Sequence, residues 1–187
     1  MPTIQPTQQK KPSAAQRYAK ELRLLAKILT SADAEQRQVA LQAVLRFGQP
    51  KEHQALADHL IKRLWTGKAE VQHRAQWALA SLGEPAVRAL FQVLLRGPSP
   101  DQQVPLLETL GLVARGLPEL VRVPVLLVLH QLFSFARDRA VLHALAEAVA
   151  WIREAEAAAS SAGPAGSAPA REGETAAPGQ TVPASRS

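Results

Sequence analysis

Apolar residues recur along most of this chain at helical spacing. In 69–83, Val71, Ala75, Ala78, Leu79 and Leu82 follow i, i+4, i+7, i+8, i+11, a single apolar stripe on an α-helix. Leu56, Ala57, Leu60 and Leu64 form a second stripe within 51–66. Val87, Leu90, Phe91, Leu94 and Leu95 form a third within 85–96. Further along, Leu126, Leu127, Leu129 and Leu132 are followed by Val141, Leu145, Ala148, Val149 and Ile152. Between the stripes the chain three times writes glycine, one residue, proline: Gly48-Gln49-Pro50, Gly83-Glu84-Pro85 and Gly116-Leu117-Pro118. Glycine enters the left-handed region that closes a helix, and proline suits the first turn of the next. The triplets therefore predict helix boundaries near 48–50, 83–85 and 116–118, with left-handed glycines, and eight helices in four pairs: 14–48, 50–83, 85–116 and 118–157.

The glycines stand 35 and 33 residues apart, and the segments before them agree. Aligned on Gly48 and Gly83, residues 34–48 and 69–83 share Ala34/Ala69, Glu35/Glu70, Ala40/Ala75 and Ala43/Ala78. A near-constant period of this size marks a repeat array. The stretch Glu84-Pro85-Ala86-Val87-Arg88-Ala89-Leu90-Phe91-Gln92-Val93-Leu94-Leu95, with residues 69–83, resembles the HEAT repeat in its short bacterial, phycobilisome-lyase-like form. The resemblance spans about 140 of the 187 residues. It implies an all-α fold, a short right-handed solenoid of about four helix pairs whose second helices line a concave face. Pro105, Gly111 and Arg115 depart from the pattern in the third repeat, and the fourth has no closing glycine, as suits a terminal unit.

Composition shifts at both ends. Residues 1–12 are rich in Pro, Gln, Thr and Lys, and 158–187 in Ala, Gly, Pro and Ser. Neither segment carries enough apolar surface to offset its ordering entropy, so both are predicted to be disordered tails flanking a repeat domain at 13–157. The chain has no cysteine, which excludes disulfides, thiolate catalysis and Cys-ligated metal. The first 20 residues hold no apolar core of a signal peptide. The Leu/Val-rich run at 117–133 is interrupted by Glu119, Arg122, Pro124 and His130. A cytoplasmic protein without a membrane segment is the resulting expectation.

Charge is uneven. Residues 1–31 hold six Lys/Arg against one Glu, whereas 98–158 hold five against seven acids. Arg17, Lys20, Arg23 and Lys27 form a basic patch that reads either as a solvated end of the array or as a site for an acidic partner or nucleic acid.

Trp77 falls about 140° from the centre of its helix's apolar stripe, with His73 one turn earlier. Glycine-based alignment puts Gln38, His73, Leu106 and His143 in one row across the second helices, and Gln42, Trp77, Leu110 and Glu147 in another. Gln38, Gln42, Arg46, His73 and Trp77 are thus candidate protein-binding residues; the competing reading packs Trp77 between repeats. Arg37 could extend the same surface. Trp65 and Trp151 sit at stripe edges as packing residues.

Catalytic patterns are missing. His53, His59, His73, His130 and His143 form no His-x-x-x-His and precede no Glu, unlike the His-Glu pairs of HEAT-type di-iron hydroxylases. No phosphate-binding loop or nucleophile elbow occurs. The reading is a non-catalytic, monomeric adaptor without metal or cofactor that binds another protein on its concave face. One alternative is nucleic-acid binding, weak and non-specific, through the basic N-terminal half. A second, implied by the family resemblance alone, is a lyase or lyase subunit for a tetrapyrrole chromophore.

Overall fold

A computed structural model describes residues 13–161. It contains α1 (Ala14–Leu29), α2 (Ala34–Phe47), α3 (Pro50–Thr66), α4 (Ala69–Leu82), α5 (Glu84–Leu94), α6 (Pro100–Arg115), α7 (Glu119–Phe135) and α8 (Arg139–Ser161). There is no strand among the described residues, and no helix there is long and apolar enough to cross a membrane. Of the tails expected at 1–12 and 158–187, residues 1–12 and 162–187 lie outside the described residues. Residues 158–161, placed in the C-terminal tail by composition, form the last turn of α8.

The Gly-x-Pro triplets do mark helix boundaries, though by three different local geometries. Pro50 opens α3, Pro85 is the second residue of α5, and Pro118 is the N-cap of α7. Of the three triplet glycines only Gly83 has a positive φ, +69°, with ψ −130°. That backbone is the mirror image of an extended one and excludes side chains for conformational reasons, since an added Cβ would find Leu117 at an ordinary 3.4 Å. Gly48 and Gly116 correct the expected left-handed closure: their φ values are −71° and −86°. Gly48 is required by crowding instead. His53 Nε2 lies 3.0 Å from the Val44 carbonyl oxygen at the end of α2, and a Cβ on Gly48 would stand 2.5 Å from both atoms.

Side-chain capping fixes the starts of α1, α2 and α8. The Ser13 hydroxyl accepts from the Gln16 N–H while the Gln16 side chain accepts from the Ser13 N–H, a reciprocal capping box. The Asp33 carboxylate accepts from the Gln36 N–H, and the Asp138 carboxylate from the N–H groups of Ala140 and Val141. Arg37 donates to the carbonyls of Ser31 and Ala32 at 2.8 and 2.9 Å. It ties the α1–α2 turn together, so its guanidinium is engaged there and does not extend a binding surface.

Helices of each pair touch: α1 with α2, α3 with α4, α5 with α6, α7 with α8. First helices also contact successively, α1 with α3 and α3 with α5. Second helices do the same through α2, α4, α6 and α8. The apolar stripes meet in one core in which Leu29, Leu56, Leu60, Leu64, Leu79, Leu90, Leu110, Leu129 and Leu145 are all fully buried. Trp65 packs against that core as expected, its indole N–H directed to the Gln102 carbonyl at 3.4 Å. Three stripe residues, Val71, Leu95 and Leu127, do not join it. Leu95 is 84% exposed because α5 ends at Leu94, and Leu127 lies on the open side of α7.

The closest approach is between α6 and α8. An added Cβ on Gly111 would lie 2.7 Å from Ala148 Cα and 3.1 Å from the Trp151 ring. The glycine that breaks the repeat pattern is what lets α8 seat against α6.

Candidate functional site

The candidate protein-binding residues divide between two neighbouring helices. Gln38, Gln42 and Arg46 are on α2, His73 and Trp77 on α4, and all five side chains are exposed. Trp77 retains 38% of its surface in solvent, so it is not fully packed between repeats. On α2 only Leu41 and Val44 are buried, while Val39, Leu45 and Phe47 are 64%, 48% and 74% exposed. The Arg46 guanidinium sits 5.3 Å from the centre of the Phe47 ring, a cation–π arrangement. Large apolar side chains thus stand exposed among Gln, His and Arg on α2 and α4, with Leu45 and Phe47, two residues apart, on different sides of α2.

The expected rows do not continue across α6. Leu106 and Leu110 are fully buried, and the polar position on that helix falls at Glu108. The physical reason is a slip of the apolar stripe relative to the closing glycine. In α4 the last buried residue, Leu82, directly precedes Gly83. In α6 it is Ala114, with the exposed Arg115 between it and Gly116. Beyond α6, His143 Nδ1 lies 3.4 Å from the Glu147 carboxylate. Burial pushes the Glu108 carboxyl above its ordinary value, Glu147 adds to the rise, and His143 opposes it.

Beside Phe47 opens a trough of about 440 Å³ between α1, α2 and the start of α3. Its walls include Tyr18, Leu25, Ile28, Ala43, Phe47 and Leu56, with Glu21 and Glu52 as its carboxylates. The sequence signal for it was the apolar spacing of Leu25 and Ile28 on α1 and of Ala43 and Phe47 on α2, which no covering helix absorbs.

The basic residues Arg17, Lys20, Arg23 and Lys27 are all exposed on α1. Arg23 meets α3 in a second groove of about 290 Å³, lined by Ala26 of α1 and by His59, Lys62, Arg63 and Thr66. The α3 residues follow i, i+3, i+4, i+7 on the face opposite the core stripe, a pattern visible in the sequence but with no sign there of α1 as its neighbour. His59 is held below its ordinary pKa by burial, then by Lys62 and Arg23, with Asp58 opposing. Asp58 itself is raised by burial, against the pull of Arg96, Lys62 and His59.

No group of three or more His, Cys, Asp or Glu among the described residues is arranged to hold a metal ion. His53 caps α2, His59 is in the basic groove, His130 lies against Phe133 and His143 against Glu147. Each histidine except His73 thus has a local structural neighbour. Comparison with protein-family models, with curated proteins and with solved structures finds no match to this chain.

Proposed function

We propose that this chain is a short HEAT-like α-solenoid acting as a non-catalytic, monomeric, cytoplasmic adaptor that binds another protein through α2 and α4. The observation that carries the reading is the concentration of exposed Val39, Leu45, Phe47 and Trp77 on these two adjacent helices. Large apolar side chains among polar neighbours are the composition of an interface core, and aromatic anchors dominate binding energy where they insert into a partner. The stacking of the second helices α2, α4, α6 and α8 and of the first helices α1, α3 and α5 supports the solenoid reading, while α7 joins through α6 and α8 rather than by stacking on α5. The apolar trough beside Phe47 adds a recess into which a partner's side chains fit.

The test is affinity capture with the full chain, wild type against Trp77→Ala and Phe47→Ser, with thermal denaturation of each variant and a nuclease-treated arm. A specific protein captured by the wild type should be lost from both variants. With the isolated partner, Trp77→Ala should weaken binding by about 2 kcal/mol and stability by less than about 1 kcal/mol, as suits a partly exposed side chain. Equal capture by wild type and both variants would overturn the assignment of this surface. Capture abolished by nuclease would overturn the adaptor reading.

A further inference from the structure

We propose that the groove between α1 and α3 binds the sugar–phosphate backbone of a nucleic acid strand without reading its sequence. This is separate from the protein-binding reading, which rests on α2 and α4. The groove joins cations that lie far apart in the chain: Arg23 from α1 with Lys62 and Arg63 from α3. Lys20 and Lys27 stand one turn either side of Arg23 at i, i+3, i+7, so they extend the same basic edge along α1.

Among the described residues none of these five cations has a carboxylate partner within 4.0 Å; the ion pairs there are Arg74–Glu70, Arg88–Glu84 and His143–Glu147. Asp58, the acid closest in influence, pairs with none of them at that distance. Unpaired cations facing one another across a groove repel, and a bound anion relieves the repulsion. His59 is held below its ordinary pKa by burial first, and Lys62 and Arg23 lower it further.

Geometry separates a polymer from a single phosphate. Lys20 to Lys27 spans roughly 10 Å of helix axis at 1.5 Å per residue, and a second row of cations runs beside it on α3. Successive phosphates of a strand advance by about 3.4 Å along a duplex axis, so the edge matches about three of them. Thr66 is already committed, its hydroxyl donating to the Lys62 carbonyl. Apart from the partly buried His59, the groove lining contains no aromatic ring for stacking on bases, and it has no Asn or Gln to read their edges. Contacts of this kind hold a backbone and carry no sequence information.

The experiment titrates the full chain into fluorescently labelled mixed-sequence 20-mers, single-stranded and duplex, from 25 to about 200 mM salt. The comparison variants are Arg23→Gln/Lys62→Gln/Arg63→Gln and, as control, Lys68→Gln/Arg115→Gln/Arg139→Gln, which removes three exposed cations elsewhere. The wild type should bind with affinity falling steeply in salt. The groove variant should bind at least tenfold more weakly at low salt, with the log–log salt slope shallower by about three. The control should shift the slope far less, and Lys62→Arg/Arg63→Lys should retain binding.

No binding of the 20-mers at low salt would overturn the proposal. Equal losses in the groove and control variants would overturn it as well. A 4-mer bound as tightly as a 20-mer would identify a single-phosphate site instead. Equal binding of poly-glutamate, or of phosphatidylserine vesicles, would assign the groove to acidic proteins or to membrane surfaces, and each also overturns it.

Discussion

Helices α2 and α6 are second members of their pairs, yet they live in different surroundings. The α2 helix contacts α1 and α4 and buries only Leu41 and Val44. The α6 helix touches α3, α4, α5, α7 and α8 and buries Leu106, Leu107, Thr109, Leu110, Gly111, Val113 and Ala114. Their apolar content does not explain the contrast, because α2 also carries Val39, Leu45 and Phe47, all left in solvent. Position in the array explains it. An interior helix is covered by neighbours on several sides, whereas one near an end keeps an open side. The open side leaves apolar residues in solvent, and the covered helix turns them to stability.

The largest expected effect comes from cutting into the covered helix. Leu110 is fully buried among its neighbours, so Leu110→Ala should destabilise by about 3 kcal/mol through lost contacts and the cavity left behind. Val44→Ala removes less volume at the less covered end of the array and should cost about 1 kcal/mol. Urea denaturation of the two variants against wild type checks this. Equal costs would mean that α2 is held as firmly as α6, and the contrast between them would fail.

A smaller effect is expected at the α6–α8 crossing. In an exposed helix, glycine to alanine gains stability of about 1 kcal/mol from propensity. At Gly111 the added methyl would meet the Ala148 backbone and the Trp151 ring, and backbone cannot rotate away. Gly111→Ala should therefore destabilise by about 2 kcal/mol, in the range of overpacked cores. A stabilised variant would show that the two helices separate freely. Thermal denaturation monitored by circular dichroism distinguishes the outcomes by sign.

These two helices also show what could be read from the chain alone. Spacing of apolar residues and the Gly-x-Pro triplets located the helix boundaries, because capping and periodicity are local. Alignment on the glycines carried the exposed row from Trp77 to Leu110, and there it failed: the distance from the last buried residue to the closing glycine differs by one between α4 and α6. One residue rotates a helix by 100°, enough to carry an exposed position onto a buried side. Gly111 read as a departure from the repeat because its reason, Ala148, is supplied by another helix. For the same reason the sequence marked Arg17, Lys20, Arg23 and Lys27 as basic but did not join them to Lys62 and Arg63. Helical faces are legible from a single segment; which face meets which is decided by packing.

The smallest expected effect is one of pH, and it probes the polar edge of α6. Glu108 is partly buried and held above the ordinary carboxylate value of 4.5 by burial first and by Glu147 second, with His143 opposing. A carboxyl raised in the folded state binds its proton more tightly there than in the unfolded chain. Stability attributable to Glu108 is therefore unimpaired at pH well below 4.5, where both states are protonated, and declines as pH rises through the folded-state value. Glu108→Gln removes the ionisation while keeping the shape. The variant should melt at a higher temperature than wild type at pH 7, and the difference should vanish at about pH 3, below the unfolded titration. Glu147→Gln, which removes the second cause of the rise, should recover part of the same gain in the wild-type background. A Glu108→Gln variant with the same advantage at both pH values would place the effect in packing or helix propensity rather than in charge.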